Sequence, residues 1–528
     1  MTWPMVCARN GGQIMISIAR MKHVILSATA LALLASPAFA QAAAEAPTRA
    51  PTASPATAAA LEGLDAYIES ARQTWQMPGL SVVIVKDDKV VYSKGFGVRE
   101  EGKPGKVDAD TVFAIGSATK AFTAAALGML VDEKKIGWDG AVHGYMPSFE
   151  LHDPYVTRHA TVRDLLSHRT GVVTNGGLWY GSGFDRKEII RRLRFQTESL
   201  GFRNQFQYQN EMFIVAGEVV SAVAGTSYDR FIASRIFEPL GMRRTNTSIT
   251  DLKGLTNVAT PHALVEGKMV PIDYRMIDNV GGAGVINSSA RDMAQWVRLQ
   301  LGGGTFEGKP LIAAATLAEM HTGQIVPRGG SGTTFKFSEY GLGWGVQEYR
   351  GQKVVQHSGG IDGMQSIVAM IPEKKLGVVV LTNSMPSVLT AAVELRVLDA
   401  FLGGPVTDHS AILKKASDDA ARIKREKAAA TPTPATVAPT RLPLDRYTGT
   451  YSSDLLGDVT ITLADGKLAL ARPEASAVLD HDRNDMFKAR WKSLGQTSII
   501  GQTPVGFTFA PDGKIATLEL GGDKFKRN

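Results

Sequence analysis

Ser117 and Lys120 form the only Ser-x-x-Lys sequence in this chain of 528 residues. They lie where an apolar, strand-like segment, residues 112–115, is followed by a segment with helical character. On a helix, residues three apart share a face, so this spacing places a hydroxyl beside an amine. A neutral lysine can accept the serine proton and make the serine a nucleophile. The alternative is a helix-capping serine with a solvated lysine, so the hypothesis depends on what accompanies the pair.

Two further motifs accompany the pair in chain order. Tyr208-Gln209-Asn210 is the only Tyr-x-Asn in the chain, and His357-Ser358-Gly359-Gly360 lies between strand-like runs at 352–356 and 366–371. A second candidate for the last motif, His321-Thr322-Gly323, follows a helical segment. We favour the motif at His357, because this motif must lie on a strand edge beside the serine.

This ordered set resembles the serine β-lactamase and penicillin-binding protein superfamily, and most closely its class C β-lactamase branch, whose second motif is built on tyrosine. Further phrases fit the same branch, namely Leu165–Gly171, Phe237–Met242, Gly281–Gly284 and Tyr340–Gly345, and the resemblance covers about residues 60 to 405. The resemblance implies an α+β fold: an antiparallel sheet flanked by helices, an α-rich subdomain, and a cleft between them.

The resemblance also implies the roles of the first two motifs. Ser117 is the expected nucleophile, and Lys120 and Tyr208 are expected to move protons as a pair, with the acylation base left open between them. Asn210 is expected either to hydrogen-bond the substrate amide or to orient Lys120. Lys120 precedes an almost wholly apolar run at residues 121–131, which predicts burial, and a buried lysine is a candidate for catalysis.

The third motif departs from the β-lactamase pattern, in which lysine usually stands at the place of His357. Histidine is mostly neutral at pH 7, so it lacks the fixed positive charge that suits the carboxylate of a β-lactam. The variant is similar to D-aminopeptidase and esterase-like relatives. The resemblance implies substrate binding by His357, Ser358 and Gly359, and an oxyanion hole made by the backbone N–H groups of Ser117 and Gly360.

The first 40 residues predict a secretory signal peptide. They carry three basic residues and no acidic ones, an apolar run at 24–35, and the cleavage-site pattern Ala38-Phe39-Ala40. We therefore expect a periplasmic or secreted protein, cleaved near Ala40; residues 1–20 are interpreted as the product of an upstream start codon. The apolar run is too short to span a membrane, so no membrane insertion is expected.

Charge and composition exclude several function classes. Loss of the three basic residues would lower the formal net charge from +7 to +4, and no basic stripe is visible, so nucleic-acid binding is not expected. The single cysteine, Cys7, lies in the part predicted to be removed, which leaves no thiol chemistry. No metal-binding His-Glu-x-x-His motif and no Gly-x-Ser-x-Gly elbow occurs, so neither a metal nor another cofactor is expected.

The chain divides into further segments by composition. An Ala/Pro/Thr-rich stretch at 41–59 predicts a flexible spacer, and residues 60–405 predict the β-lactamase-like domain, with strands at both ends and helices between. Residues 406–440 predict a linker, charged and helical in part and then Pro/Thr-rich. From residue 441 to 528, short alternating segments predict a small antiparallel β-domain similar to the lipocalin-like domain of related hydrolases. That domain either stabilises the protein by packing or caps the cleft and restricts substrates.

Together these observations predict an exported serine hydrolase that works through an acyl-enzyme. The expected partner is a small-molecule or peptide substrate, first a small amide in a short or D-residue-containing peptide, then an ester, then a β-lactam. A penicillin-binding sensor that deacylates slowly is the competing hypothesis. The oligomeric state stays open.

Overall fold

The computed structural model describes residues 54–328, 334–336, 338–385, 387–430, 438–493 and 501–528. The predicted signal peptide lies outside these residues. The predicted spacer extends to residue 59, but a helix, α1 (Pro55–Leu61), already begins inside it, so that boundary is wrong. Ser54 caps this helix, because its hydroxyl accepts a hydrogen bond from the Thr57 N–H at 3.2 Å, and Pro55 needs no amide hydrogen at the first helical position.

A seven-stranded antiparallel sheet forms the centre of the larger domain. Its strands, in spatial order, are β2 (Lys89–Gly97), β1 (Gly79–Lys86), β13 (Leu376–Thr382), β12 (Met364–Ile371), β11 (Gln352–Ile361), β10 (Gly345–Tyr349) and β9 (Ser338–Tyr340). The first two strands and the last five come from opposite ends of the domain, as the sequence predicts. The register pairs Leu80 with Thr382 and Gln365 with Thr382, so β13 joins the two halves.

Helices cover both faces of this sheet. On β1, Leu80, Val82 and Ile84 pack into one apolar cluster with α2 (Leu64–Thr74) and α13 (Leu389–Leu402). The alternate residues of β1 join the larger cluster that contains α3 (Thr119–Asp132) and α11 (Ala290–Leu301). Because both faces are covered, β1 and β13 are apolar at nearly every position and do not alternate.

Helices and short strand pairs fill the region between the two halves of the sheet. The remaining helices are α4 (Val142–Tyr145), α5 (Pro154–His159), α6 (Val162–Leu166), α7 (Arg186–Arg192), α8 (Asn210–Ala224), α9 (Tyr228–Ile232), α10 (Glu238–Leu240), α12 (Ala314–Met320) and α14 (His409–Ala430). The strand pairs are β3 (Val112–Ala114) with β6 (Asn287–Ser289), β4 (His262–Val265) with β5 (Lys268–Pro271), and β7 (Thr305–Phe306) with β8 (Lys309–Pro310). The last helix, α14, lies within the predicted linker.

The C-terminal segment folds into a closed eight-stranded antiparallel barrel, which confirms the predicted fold class. Its strands are β14 (Gly449–Ser453), β15 (Gly457–Ala464), β16 (Lys467–Arg472), β17 (Ala475–Arg483), β18 (Met486–Trp491), β19 (Thr503–Phe509), β20 (Ile515–Leu520) and β21 (Asp523–Arg527). The sequence indicates five of them and misses β17, β18 and β21. The missed strands carry charged residues at their outward positions, so their apolar alternation is short and weak.

A buried carboxyl group in α13 predicts a pH-dependent stability. Glu394 is 1% exposed, and burial raises the pKa of its carboxyl from 4.5 to about 8. A raised carboxyl pKa makes the folded state bind the proton more tightly, so stability falls as the pH rises from about 4.5 to about 8. Near pH 7 the cost is about 3 kcal/mol. We expect Glu394→Gln to raise the melting temperature at pH 7.5 and to change it little at pH 5.

Thermal unfolding at the two pH values measures this effect, with Glu62→Gln, at an exposed position, as the control. An equal gain at both pH values would show that packing, and not the proton, sets the effect of the Glu394 substitution.

Candidate active site

Ser117 lies on a tight turn that joins β3 to α3 and touches the edge of β11. The turn, Gly116–Ala118, has its first residue at φ +52°, a conformation that favours glycine. A Cβ atom on Gly116 would lie 2.7 Å from the Gly360 nitrogen, and one on Gly359 would lie 1.8 Å from the Ile115 oxygen. Glycine at these positions therefore lets the serine turn and the strand edge approach backbone to backbone.

Lys120 is fully buried one helical turn after Ser117, with its Nζ 3.0 Å from Ser117 Oγ. The same nitrogen donates to Asn210 Oδ1 and to the Ala283 carbonyl, each at 2.8 Å. Burial lowers the pKa of Lys120 well below 10.5, and the negative charge of Glu211 opposes this. A neutral amine has two N–H donors, and the two carbonyl acceptors take both. Its lone pair is then left for the Ser117 hydroxyl.

Tyr208 is the third member of this group. It is hydrogen-bonded to Ser117, and its ring centroid lies 4.7 Å from Lys120 Nζ. Burial raises the pKa of its phenol well above 10, and the bond to Ser117 lowers it in part. The neutral phenol is therefore the resting form, and the lysine is the better proton acceptor.

His168 holds the tyrosine in place. Its ring lies 4.4 Å from the Tyr208 ring, and its Nδ1 accepts a hydrogen bond from the Gln209 N–H at 3.0 Å. Its carbonyl accepts from the Gln207 N–H at 2.9 Å. Its backbone has a φ of +59°, and burial lowers the pKa of its ring well below 6.5. The neutral, fully buried ring of His168 thus holds Gln209, and its backbone carbonyl holds Gln207, on either side of Tyr208.

Glu211 is a site residue that the sequence analysis missed. It is 2% exposed at the start of α8, next to Asn210, and its carboxylate accepts hydrogen bonds from Thr174 Oγ1 at 2.9 Å and the Asn175 N–H at 3.2 Å. Burial raises its pKa, and the charge of Lys120 opposes this. An acidic residue directly after the Tyr-x-Asn motif, at the head of an apolar helix, was the available signal.

The third motif lies on β11 itself, beyond the point where β10 stops pairing with it. The β10–β11 ladder ends at Gln356, so from His357 onward that edge faces the serine turn. His357 Nε2 lies 2.8 Å from the Tyr340 hydroxyl, and Nδ1 lies 2.6 Å from the Ser358 carbonyl. The carbonyl can only accept, so Nδ1 carries the hydrogen and Nε2 accepts from tyrosine.

His357 therefore presents no positive charge to the cleft. Burial and the nearby charge of Lys120 lower its pKa to about 3, and its ring lies 6.5 Å from that of Tyr208. Ser358 is exposed and, as the next residue on the strand, projects to the opposite face. Of the three predicted substrate-binding residues of this motif, His357 lies beside Tyr208 and Gly359 packs against the serine turn.

The alternative motif at His321 lies at the end of a helix, where its side chain makes packing and hydrogen-bond contacts. His321 ends α12, its Nε2 lies 3.0 Å from Gln300 Oε1, and its ring meets Trp344 edge-on at 5.6 Å. It lies on no strand, as the choice between the two motifs assumed.

The barrel forms one wall of a cavity of about 550 Å³ that reaches Gly360 on the edge of β11, where the sequence predicts the oxyanion hole. We call this space the barrel-side cavity. Its walls on the larger domain are Asn175, Gly176, Gly177, Trp179, Tyr180, Gly360, Ile361 and Met385, and those on the barrel are Leu456, Arg472, Ala475, Trp491, Gln502, Thr503, Pro504, Leu520, Gly521, Asp523 and Phe525. The barrel thus contributes a wall of the site beyond any packing role.

A buried ion pair holds the loop that carries Trp179 and Tyr180. Asp362 accepts from the Tyr180 hydroxyl at 2.7 Å and from Arg275 Nε at 2.5 Å. The guanidinium of Arg275 also lies 4.3 Å from the Tyr180 ring centroid. These contacts tie the loop to Asp362, directly after β11. The rim of the cavity formed by Trp179 and Tyr180 is therefore held to the strand that carries Gly360.

Among the residues that the structure describes, no group of three or more His, Cys, Asp or Glu side chains is placed to hold a metal ion. No helix within the same residues is both long and apolar enough to cross a membrane.

Comparison with protein families identifies the larger domain. The family model named Beta-lactamase matches residues 64–401. The chain belongs to the beta-lactamase family. A second model, a domain of unknown function (DUF3471), matches residues 433–526, which include the barrel.

Several other proteins are similar to this chain over most of its length. The unguisins hydrolase ungD of Aspergillus violaceofuscus is 29% identical over 497 residues, covering 86% of each chain. The octameric penicillin-binding protein homologue of Pyrococcus abyssi superposes with a TM-score of 0.60 at 23% identity, over 88% of this chain and 99% of that one. SurE, also solved with D-Leu, gives 0.55 at 21% identity, over 90% and 100%. The two structural matches support the fold, and the named hydrolase agrees with a serine hydrolase.

Proposed function

We propose that this beta-lactamase family member is an exported hydrolase that cleaves an amide bond in short peptides, including peptides with D-residues, through an acyl-enzyme on Ser117. The observation that carries the proposal is the Lys120 amine, which is fully buried, lowered in pKa and 3.0 Å from Ser117 Oγ. Export is proposed from the signal-peptide pattern in residues 1–40.

Acylation follows from this geometry. Ser117 Oγ attacks the substrate carbonyl carbon while its proton passes to Lys120 Nζ. The carbonyl oxygen becomes an oxyanion, which the N–H groups of Ser117 and Gly360 stabilise. Collapse of the tetrahedral intermediate breaks the C–N bond and leaves the acyl group on Ser117.

The departing amine needs a proton, and Tyr208 lies where it can relay one. Its phenol is neutral and bonded to Ser117, so it can donate to the amine and be reprotonated by Lys120. Water then attacks the ester carbonyl and gives its proton to Lys120, directly or by relay through Tyr208; collapse of the second tetrahedral intermediate breaks the C–O bond, returns that proton to Ser117 Oγ and releases the acid. Asn210 orients Lys120 through the bond to its Nζ, the second of the two roles predicted for it.

The cleft favours a neutral amide over a β-lactam as substrate. His357 stays neutral and both of its ring nitrogens are occupied, so no fixed cation stands at the third motif. The barrel forms part of the wall of the barrel-side cavity, whose volume of about 550 Å³ suits a short ligand. The relative named as an unguisins hydrolase agrees with hydrolysis, and SurE, which was solved with D-Leu, makes small peptides with D-residues the first substrates to test.

A peptide screen tests the proposal. The mature protein is incubated with a mixed library of linear L- and D-containing peptides, products are measured by mass spectrometry, and Ser117→Ala is the blank. We expect cleavage that is lost in the blank. The products will show which bond is cleaved and whether L- or D-residues are accepted. A folded protein without cleavage would overturn the peptidase proposal and favour esters or β-lactams. A stoichiometric adduct stable for hours would favour a sensor.

A further inference from the structure

Arg472 is a partly buried cation with an incomplete set of partners on the wall of the barrel-side cavity. It ends β16, and its Nη2 donates to the carbonyls of Gly177 at 2.9 Å and Leu456 at 3.0 Å. Its Nε is buried without a partner among the described residues, and no carboxylate there forms an ion pair with it. Burying a cation costs free energy unless an anion or further hydrogen bonds compensate, so this arrangement suits an anionic ligand.

The charges around Arg472 compensate it only in part. Arg192, itself paired with Glu188 at 2.6 Å, opposes it with a second positive charge, and burial lowers the pKa of the Arg472 guanidinium, which nonetheless remains charged at neutral pH. The acid that acts on it is Asp523, whose carboxylate accepts from Asn175 Nδ2 at 2.8 Å and whose pKa is raised by burial. The acid is therefore a weak counter-charge for the arginine.

Most of the remaining cavity wall is apolar. Its large apolar side chains include Trp179, Ile361, Leu456, Trp491 and Phe525. A space of about 550 Å³ is large enough for one bulky side chain with its backbone. The ligand that fits has an apolar body and one anionic end.

We propose that the barrel-side cavity binds an apolar amino-acid unit of the substrate that ends in a free carboxylate, and that Arg472 recognises this carboxylate. The cavity begins at the oxyanion edge, so a terminal residue bound there lies next to the bond that Ser117 attacks. The placement of the bound residue beside the cleaved bond rests on the proposed function. Binding of the carboxylate by Arg472 can be measured without turnover.

Direct binding tests the inference. The probes are N-acetyl-phenylalanine, in its L and D forms, and the corresponding amides, titrated into the Ser117→Ala protein and followed by the fluorescence of Trp179 and Trp491. We expect the acid of at least one hand to bind about tenfold or more tightly than its amide, because a charge-assisted hydrogen bond is worth that much. Arg472→Gln should remove the difference, and Arg472→Lys should keep part of it.

Arg490→Gln is the matched control, since Arg490 lies on β18 of the same barrel with its charge paired to Asp480. It should leave the preference for the acid unchanged. Equal binding of acid and amide, no binding of the acid at millimolar concentration, or a preference that survives in a folded Arg472→Gln protein would each overturn the inference. A preference for the acid in a protein that cleaves no peptide would instead overturn the proposed function alone.

Discussion

Ser117→Ala is expected to lower kcat on any peptide found in the screen by about 10⁴-fold or more, because it removes the proposed nucleophile. The substitution removes one hydroxyl from a partly exposed turn and leaves Lys120 bound to Asn210 and Ala283. The melting temperature should therefore change little. Steady-state turnover and thermal unfolding, measured on the same preparation, check both expectations.

Intact-protein mass spectrometry adds a direct view of the intermediate. Rapid quenching during turnover should show one acyl group on the wild-type protein and none on Ser117→Ala. Ser148→Ala, at an exposed position of the same domain, should behave as wild type in both measurements. Acylation of the Ser117→Ala protein would show that another residue is the nucleophile.

Lys120→Met is expected to lower kcat by about 10³-fold, the range of a lost general base. Methionine keeps the length of the buried side chain and removes the amine that lies 3.0 Å from Ser117 Oγ. Lys120→Arg should be equally impaired, because a guanidinium stays charged and cannot accept the serine proton. A charge-only role would instead let arginine restore activity, and that result would contradict a neutral lysine base.

Lys135→Met provides the control for these variants, since Lys135 lies just beyond the end of α3 and pairs with Glu133 at the surface. It should retain full activity. Turnover by each Lys120 variant is compared only where thermal unfolding shows a folded protein, because the amine also satisfies the Ala283 carbonyl.

The barrel forms part of the wall of the barrel-side cavity. Its residues there include Arg472 and Asp523, and Asn175 of the larger domain bonds directly to the latter, 348 residues further along the chain. Under the proposed function, two segments that are distant in the chain would share the selection of the substrate.

The sequence by itself was sufficient to identify Ser117 as the candidate nucleophile and Lys120 and Tyr208 as the candidate proton carriers, which the structure brings together. Each belongs to a short motif whose members are neighbours along one turn or strand, so local spacing already brings Ser117 and Lys120 together. It was also sufficient for five of the seven strands of the central sheet and for the barrel as a fold class, because continuous apolar strands and turn residues are local signals; the short strands β9 and β10 were missed. The structure adds that Asn210 reaches Lys120 and that Lys120 is fully buried.

Only the tertiary structure decided the protonation states of these groups and the residues that surround them. Burial, which sets the proton on Lys120, His168 and His357, depends on helices and strands that pack from distant parts of the chain. Glu211 carries no motif of its own, and Arg472 is one arginine among many in the sequence. Arg472 lines the cavity because the barrel packs against the loop at Gly177. This contact joins residues far apart in the sequence, so no local pattern encodes it.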